Sequence, residues 1–372
     1  MLAAVALIAG GTWAAWRASQ PQPSFRVGAY YYGWYDDGHR AELGYLGPHL
    51  PQPLEPALGE YQSLDPDVVN THVRWAAEYG IDFFIISWNA AGNTADRQAR
   101  ELLLPALEQS SVRQAPIIET LAYRDIDLFN PDDRAALNAE VRYVAENYLG
   151  HPSAMRIDGR PLLFLYTTRR LQGDIVGWLA EVRVELATLG INPYIVGDEA
   201  FWQPADLDRL HEFDAITAYN VYDWPLTQHA GWASDSTFFE DVDALFSRWR
   251  EAARDTGIAF IPNALPGYND RGVRLEEDHY VIPRAARRFG YRTGFFERSI
   301  ELAKEHVDPE LKLVTITSFN EWHEWTQIEP ARESGKSPAG NPEAYTQGFP
   351  HPAYAFQYLE MLRDRLGPAG SP

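Results

Sequence analysis

From Phe25 onward, short apolar β-branched runs alternate with longer amphipathic stretches, and this alternation limits the possible folds more than any other feature of the sequence. A chain that returns to an extended apolar run after every helical stretch builds parallel βα units, because the crossover helix lays each new strand beside the last. Eight strands are expected, at residues 26–32, 81–88, 115–121, 161–166, 193–198, 214–220, 258–263 and 311–319. Their near-continuous hydrophobicity predicts burial on both faces. Helices are expected between them, at 66–79, 95–109, 131–148, 174–189, 238–256 and 292–306. The first of these carries its own punctuation: Asp65 as a cap, Pro66 at the opening position and Gly80 at the close. Eight such units predict an α/β protein, a single (β/α)8 TIM barrel over residues 25–372. Its long loops after strands one and seven lie on the C-terminal side of the strands, the side that carries the chemistry in a closed barrel.

The first 24 residues follow another pattern. The stretch from Leu2 to Trp16 is uncharged and apolar, and a polar, Pro-containing spacer follows it. It has no amphipathic stripe with which to dock on a barrel, so it reads as a secretory signal or an N-terminal membrane anchor. Such a segment predicts an extracytoplasmic protein. With 32 basic against 52 acidic side chains the formal net charge is -20, which repels nucleic acid and other polyanions. The absence of Cys excludes disulfides, thiol nucleophiles and thiolate-bound metals. Aromatic residues reach 13%, an excess that suits a carbohydrate surface. No cofactor, metal or protein partner is expected; the expected partner is an oligo- or polysaccharide.

Each strand end deposits polar or aromatic side chains, and a closed barrel would gather them at one mouth. Tyr31, Tyr32, Trp34 and Tyr35 follow the first strand, Trp88 and Asn89 the second, and Glu119 stands near the end of the third. Tyr166 follows the fourth, Asp198 and Glu199 the fifth, Tyr219, Asn220 and Tyr222 the sixth, and Asn263 and Tyr268 the seventh. Asp198 and Glu199 are adjacent on an extended chain and point to opposite faces, so at most one enters the site. Asp36, Asp37 and His39 form an acidic, Gly-containing turn after strand one.

The richest stretch is SFNEWHEWTQIEP, from Ser318 to Pro330, behind the eighth strand. Glu321 and Glu324 are three apart, close enough to face one small cavity if the loop turns helically. Paired acids are what proton transfer at a glycosidic oxygen requires, and the flanking Trp322 and Trp325 offer flat faces to a sugar ring. Glu329 reads as support. His323 among acids lacks the two-histidine helical spacing of a zinc site. Three classes stay open on these residues: a glycosidase, a non-catalytic carbohydrate-binding barrel in which Trp325 blocks the subsite, and a metal-dependent hydrolase or deacetylase.

YYYGWY at 30–35, GEYQSLDPDVV at 59–69, GIDFFIISW at 80–88, HPSAMRIDGRPLLFLY at 151–166, PGYNDRGVR at 266–274 and above all TSFNEWHEWTQIEPA at 317–331 resemble glycoside hydrolase family 99, the endo-α-1,2-mannosidases and endo-α-1,2-mannanases. The resemblance implies retaining hydrolysis within a mannose-containing chain, in which the substrate's own 2-hydroxyl attacks C1 to form a 1,2-anhydro sugar. Carried onto this sequence, Glu321 deprotonates that hydroxyl. Glu324 protonates the leaving oxygen and later activates water. Tyr31, Tyr32, Trp34, Trp88, Tyr219, Tyr222, Tyr268, Asn320, Trp322 and Trp325 are the implied sugar-binding residues, with Tyr219 or Tyr222 nearest C1. Trp325 departs from the family pattern, which has Gly there. A Trp in place of Gly predicts a changed loop or a changed neighbouring subsite, and with it a substrate that deviates from the family standard.

Overall fold

A computed structural model describes residues 25–35, 54–221, 237–271, 281, 282, 284, 294–333 and 354–367. The 2–16 segment and Asp36, Asp37, His39 and Tyr222 lie outside the described residues. All eight expected strands form: β1 (Arg26–Tyr31), β2 (Phe83–Trp88), β3 (Arg113–Ile118), β4 (Arg160–Leu165), β5 (Tyr194–Asp198), β6 (Ala215–Thr217), β7 (Ala259–Ile261, continued by Asn263–Ala264) and β8 (Leu313–Ile316). They pair in parallel in the order 8-1-2-3-4-5-6-7, giving a nearly closed barrel.

The ring meets at a proline. The first piece of β7 pairs with β6 through Thr217 and Ile261, and the second pairs with β8 through Asn263 and Thr315. Pro262 between them has no N–H to give, but its carbonyl accepts from the Thr315 N–H at 3.0 Å. The strand therefore changes partner where it cannot serve both.

Register decides which side chains point inward. Gly28 lies opposite Phe83, and a Cβ on Gly28 would stand 2.4 Å from the Phe83 ring, so the missing side chain is what lets that ring fill the barrel. Residues of the other parity face the helices: Tyr31 and Phe84 pack at 4.6 Å, with Phe319 and His72 beside them. Fully buried Trp178 and Trp249 anchor the helical layer, each worth about 2–3 kcal/mol by burial.

The helices begin and end as their punctuation dictates. Asp65 accepts from the Asp67 N–H at 2.9 Å, Pro66 opens the helix Pro66–Tyr79, and Gly80 closes it at φ 82°. Asn130 and Pro131 repeat that opening for Pro131–Val144. The single helix expected at 95–109 instead runs Thr94–Gln98, a π-helical turn Ala99–Leu103, then Leu104–Glu108. Pro105 has no N–H for the α ladder, and the wider turn absorbs the gap.

Both long loops tie into the mouth. Leu54–Pro56, from the loop after β1, pairs antiparallel with Ala331–Glu333, which follows β8. Tyr268–Asn269 and Val281–Ile282 form a second antiparallel pair after β7. Among the described residues, no helix is long and apolar enough to cross a membrane.

Candidate active site

Alternation along the strands builds the floor of the mouth. Counting inward positions from Gly28 gives Tyr32, Ser87, Glu119, Tyr166, Tyr219 and Asn263 the same inward parity near the strand ends. Their contacts agree. The Tyr32 and Tyr219 hydroxyls lie 2.6 Å apart, Ser87 Oγ donates to Glu119 Oε2 at 2.7 Å, and the Tyr166 and Tyr219 rings meet edge to face at 4.9 Å. Asn263 Nδ2 donates to the Tyr219 carbonyl at 2.7 Å and to Thr317 Oγ1 at 2.8 Å, locking β6 to β8.

Above this floor, the chain after β8 folds into a tight turn that presents the two acids. Ser318 Oγ accepts from the Glu321 N–H at 2.8 Å, and the Thr326 N–H returns to the Glu321 carbonyl at 3.2 Å. Tyr35 fastens the turn to β1: its hydroxyl donates to the Asn320 carbonyl at 2.7 Å and accepts from the Trp322 N–H at 2.8 Å. The same hydroxyl lies 3.4 Å from Glu321 Oε1. Glu321 Oε1 also accepts from the His323 N–H at 2.8 Å, while His323 Nδ1 stands 3.6 Å away. Glu324 is half-buried, with its carbonyl held by the Asn269 N–H at 2.8 Å.

The carboxyl groups here are unusual. Burial, then the neighbouring Glu324 charge, pushes Glu321 well above the ordinary carboxylate range; the His323 N–H opposes this. Burial likewise pushes Glu119 up to about 8, against the Ser87 hydrogen bond and with Glu324 adding to the rise. Burial above all, then Glu324, keeps the Tyr219 hydroxyl protonated. Glu119, Glu321 and Glu324 are thus close enough for their like charges to act on one another.

The sequence-predicted residues separate into those that reach the mouth and those that do not. Tyr32, Tyr219, Glu321 and Glu324 come together. Trp34, half-buried, packs against Tyr32 at 4.5 Å and stacks on His323 at 6.3 Å. Tyr31 does not arrive: neighbouring strand residues face opposite ways, and its hydroxyl meets Gln98 Nε2 at 3.0 Å and His72 Nδ1 at 3.2 Å in the helical layer. Trp88 turns outward for the same reason, giving its Nε1–H to Asp96 at 3.1 Å and stacking on Tyr143. Asn320 spends its amide on the Tyr32 backbone, donating and accepting at 2.8 Å. Trp322 sends its Nε1–H to Glu329 at 2.7 Å. Tyr268 is buried in its strand pair opposite Ile282.

Trp325 keeps the backbone that a Gly would adopt, with φ 55°, so the turn retains its left-handed residue. Its ring is buried, 1% exposed, rather than laid open to the mouth. At strand five, Asp198 accepts from the Thr167 and Tyr219 N–H groups at 3.0 Å and pairs with Arg169 at 2.9 Å. Glu199 goes the other way, to Arg209 at 3.2 Å. Both are tied into the scaffold. Among the described residues, no three His, Asp or Glu side chains converge as a metal-binding set.

Glu119, Tyr166 and Tyr35 stand at strand ends in the sequence but fall outside the acid pair and the implied sugar-binding residues. Glu119 and Tyr166 were within reach: once Tyr32 is taken as inward, parity along paired strands selects Ser87 over Trp88 and Glu119 after it. Tyr35 offered no such signal, since its role depends on a loop contact 285 residues away.

With this geometry in view, the chain matches the family model described as glycosyl hydrolase family 99 over residues 48–189 and 205–344. It is 26% identical, over 92% of its length, to a glycoprotein endo-alpha-1,2-mannosidase-like protein of Mus musculus, covering 77% of that protein. It is 22% identical, over 84% of its length, to the glycoprotein endo-alpha-1,2-mannosidase of Rattus norvegicus, covering 69% of it. Among solved structures, the GH99 endo-alpha-mannosidase of Bacteroides thetaiotaomicron shares the fold with a TM-score of 0.62 at 19% identity, over 92% of this chain and 96% of that one.

Proposed function

The chain belongs to glycosyl hydrolase family 99, and from that membership we propose that this glycoside hydrolase cleaves α-mannosidic bonds within mannose-containing glycans, with retention of configuration. The observation that carries the reading is the pairing of Glu321 and Glu324 on one turn, where burial and the Glu324 charge raise the Glu321 carboxyl well above its ordinary range. Retention proceeds by the 2-hydroxyl route. Glu321 takes the proton of the mannose 2-hydroxyl as its oxygen closes on C1, and Glu324 gives a proton to the departing glycosidic oxygen. Water, deprotonated by Glu324, then opens the anhydro ring at C1, and Glu321 returns the proton to O2.

This division of labour needs Glu321 ionised when the sugar is bound, although burial favours its protonated form in the free protein. The His323 N–H at 2.8 Å from Glu321 Oε1 supports the required state, because it stabilises the Glu321 anion. Tyr32 and Tyr219, kept protonated by burial, are suited to donate to sugar hydroxyls or the ring oxygen.

Digestion of α-mannans and mannosylated oligosaccharides, with mass and anomeric analysis of the first products, tests this. Internal fragments released as α-anomers are expected. A first-formed β-anomer would overturn retention, and intact α-mannosides would overturn the substrate class. We also propose export, on the apolar segment at 2–16, and cell fractionation of the full chain decides it.

A further inference from the structure

Arg284 is an unusual residue to find behind an acid-bearing loop. It is 4% exposed, and among the described residues its Nε and Nη1 have no hydrogen-bond partner. Its guanidinium sits over the rings of Trp325, Tyr354 and Tyr358, at 5.8, 5.3 and 5.3 Å. Through Nη2 it donates to the Trp325 carbonyl at 2.6 Å and to Gln327 Oε1 at 2.8 Å. Burying a cation on ring faces and carbonyl dipoles is costly, so this side chain stabilises something that the fold would not hold otherwise.

The left-handed Trp325 is that feature. A bulky residue at φ 55° costs about 1–3 kcal/mol, and the carbonyl that Arg284 grips belongs to that residue. The preceding carbonyl, of Glu324, is gripped by the Asn269 N–H at 2.8 Å. Two successive peptide units, on either side of the Trp325 Cα, are therefore fastened to the segment after β7. Space for the grip comes from Gly267, where a Cβ would stand 2.7 Å from Arg284 Cγ.

We propose that Arg284 is a positioning residue for Glu324, and that it works as a unit with Trp325: the guanidinium holds a left-handed tryptophan in a turn where glycine would need no help. The idea rests on the acid role of Glu324 proposed above.

Arg284→Met is expected to lower kcat about 100-fold with KM within about twofold, the cost of a misplaced acid. Trp325→Gly alone costs less than about tenfold. In the Arg284→Met background, Trp325→Gly raises kcat again, because glycine restores the turn without the guanidinium; this non-additivity is the signature of the pair. Amide exchange across 318–328, compared in the same four proteins, should quicken in Arg284→Met and slow again in the double variant, a readout that needs no substrate. Equal kcat losses from Arg284→Met in the Trp and Gly backgrounds, or unchanged exchange, would overturn the pairing. Wild-type inactivity on every α-mannoside would instead overturn the proposed function, with exchange still judging the pair. Should Arg284→Met not fold, Arg284→Lys decides: it keeps the charge but not the planar fork, and a kcat loss of about tenfold at constant KM is expected, whereas an unchanged kcat refutes the role.

Discussion

Glu321 and Glu329 sit on the same loop, both buried, yet their surroundings are opposite. Glu329 is wholly enclosed and receives Tyr61 Oη at 2.9 Å, Trp322 Nε1 at 2.7 Å and His72 Nε2 at 3.1 Å. His72 continues to Tyr31, and Tyr31 to Gln98, so the carboxylate ends a satisfied chain of partners behind the turn. Glu321 faces the mouth with Glu324 and Glu119, whose like charges help push its carboxyl up. The contrast separates two uses of a buried acid. Surrounded by donors, it fixes geometry; crowded by other acids, it is left able to exchange a proton.

The largest effects should divide along this line. Glu324→Gln, on the mouth side, is expected to lower kcat by about 10³- to 10⁴-fold while the melting temperature and sugar binding stay near wild type. Glu329→Ala, on the far side, should destabilise the fold by about 3–5 kcal/mol, because it strips Trp322, Tyr61 and buried His72 of a shared hydrogen-bond partner, and should lower kcat far less in the folded fraction. Urea denaturation and steady-state kinetics on both variants check the pair. A stable Glu329→Ala protein with a kcat as low as that of Glu324→Gln would erase the distinction.

A smaller effect concerns pH. The Glu119 carboxyl is raised in the fold to about 8 from an ordinary value of 4.5. With the folded pKa above the unfolded one, its favourable contribution is complete below about pH 4.5 and is lost as pH climbs through about 8. Wild type should therefore lose stability across that window, and Glu119→Gln should flatten the loss, melting above wild type at pH 8 and close to it at pH 4.5. Melting curves at both pH values are the measurement, and parallel curves would return Glu119 to the donor-rich class.

The barrel was legible because its signals are local. Cap, Pro and Gly at 65, 66 and 80 set a helix edge, and apolar runs set each strand, with no reference to distant residues. The acid pair was legible as composition, three residues apart beside large rings. What the sequence could not order was side-chain direction: Tyr31 and Tyr32 look alike, as do Trp88 and a sugar platform, until register assigns one face to the mouth and the other to the helices. Trp322 and Trp325 misled in the same way, since turn geometry sends the first indole to Glu329 and buries the second. Tertiary partners such as Tyr35 and Arg284 reach the turn from distant loops, and no spacing announces them.

Tyr35 carries the smallest expected effect and the finest version of the comparison, since it touches the turn from the donor-rich side and Glu321 from the other. Tyr35→Phe removes one oxygen. It leaves the Trp322 N–H and the Asn320 carbonyl without that partner, a cost of about 1–3 kcal/mol in stability. At Glu321 the change is slight, because the hydroxyl is 3.4 Å away while the His323 N–H at 2.8 Å remains. If Tyr35 belongs with Glu329, the phenylalanine variant melts lower and keeps its kcat within about fivefold, with an unshifted pH profile. If the hydroxyl helps set the Glu321 proton, kcat/KM against pH moves while the melting temperature falls by no more than the lost hydrogen bonds account for. The profile therefore decides whether the line between geometry and proton exchange runs beside this tyrosine or through its hydroxyl.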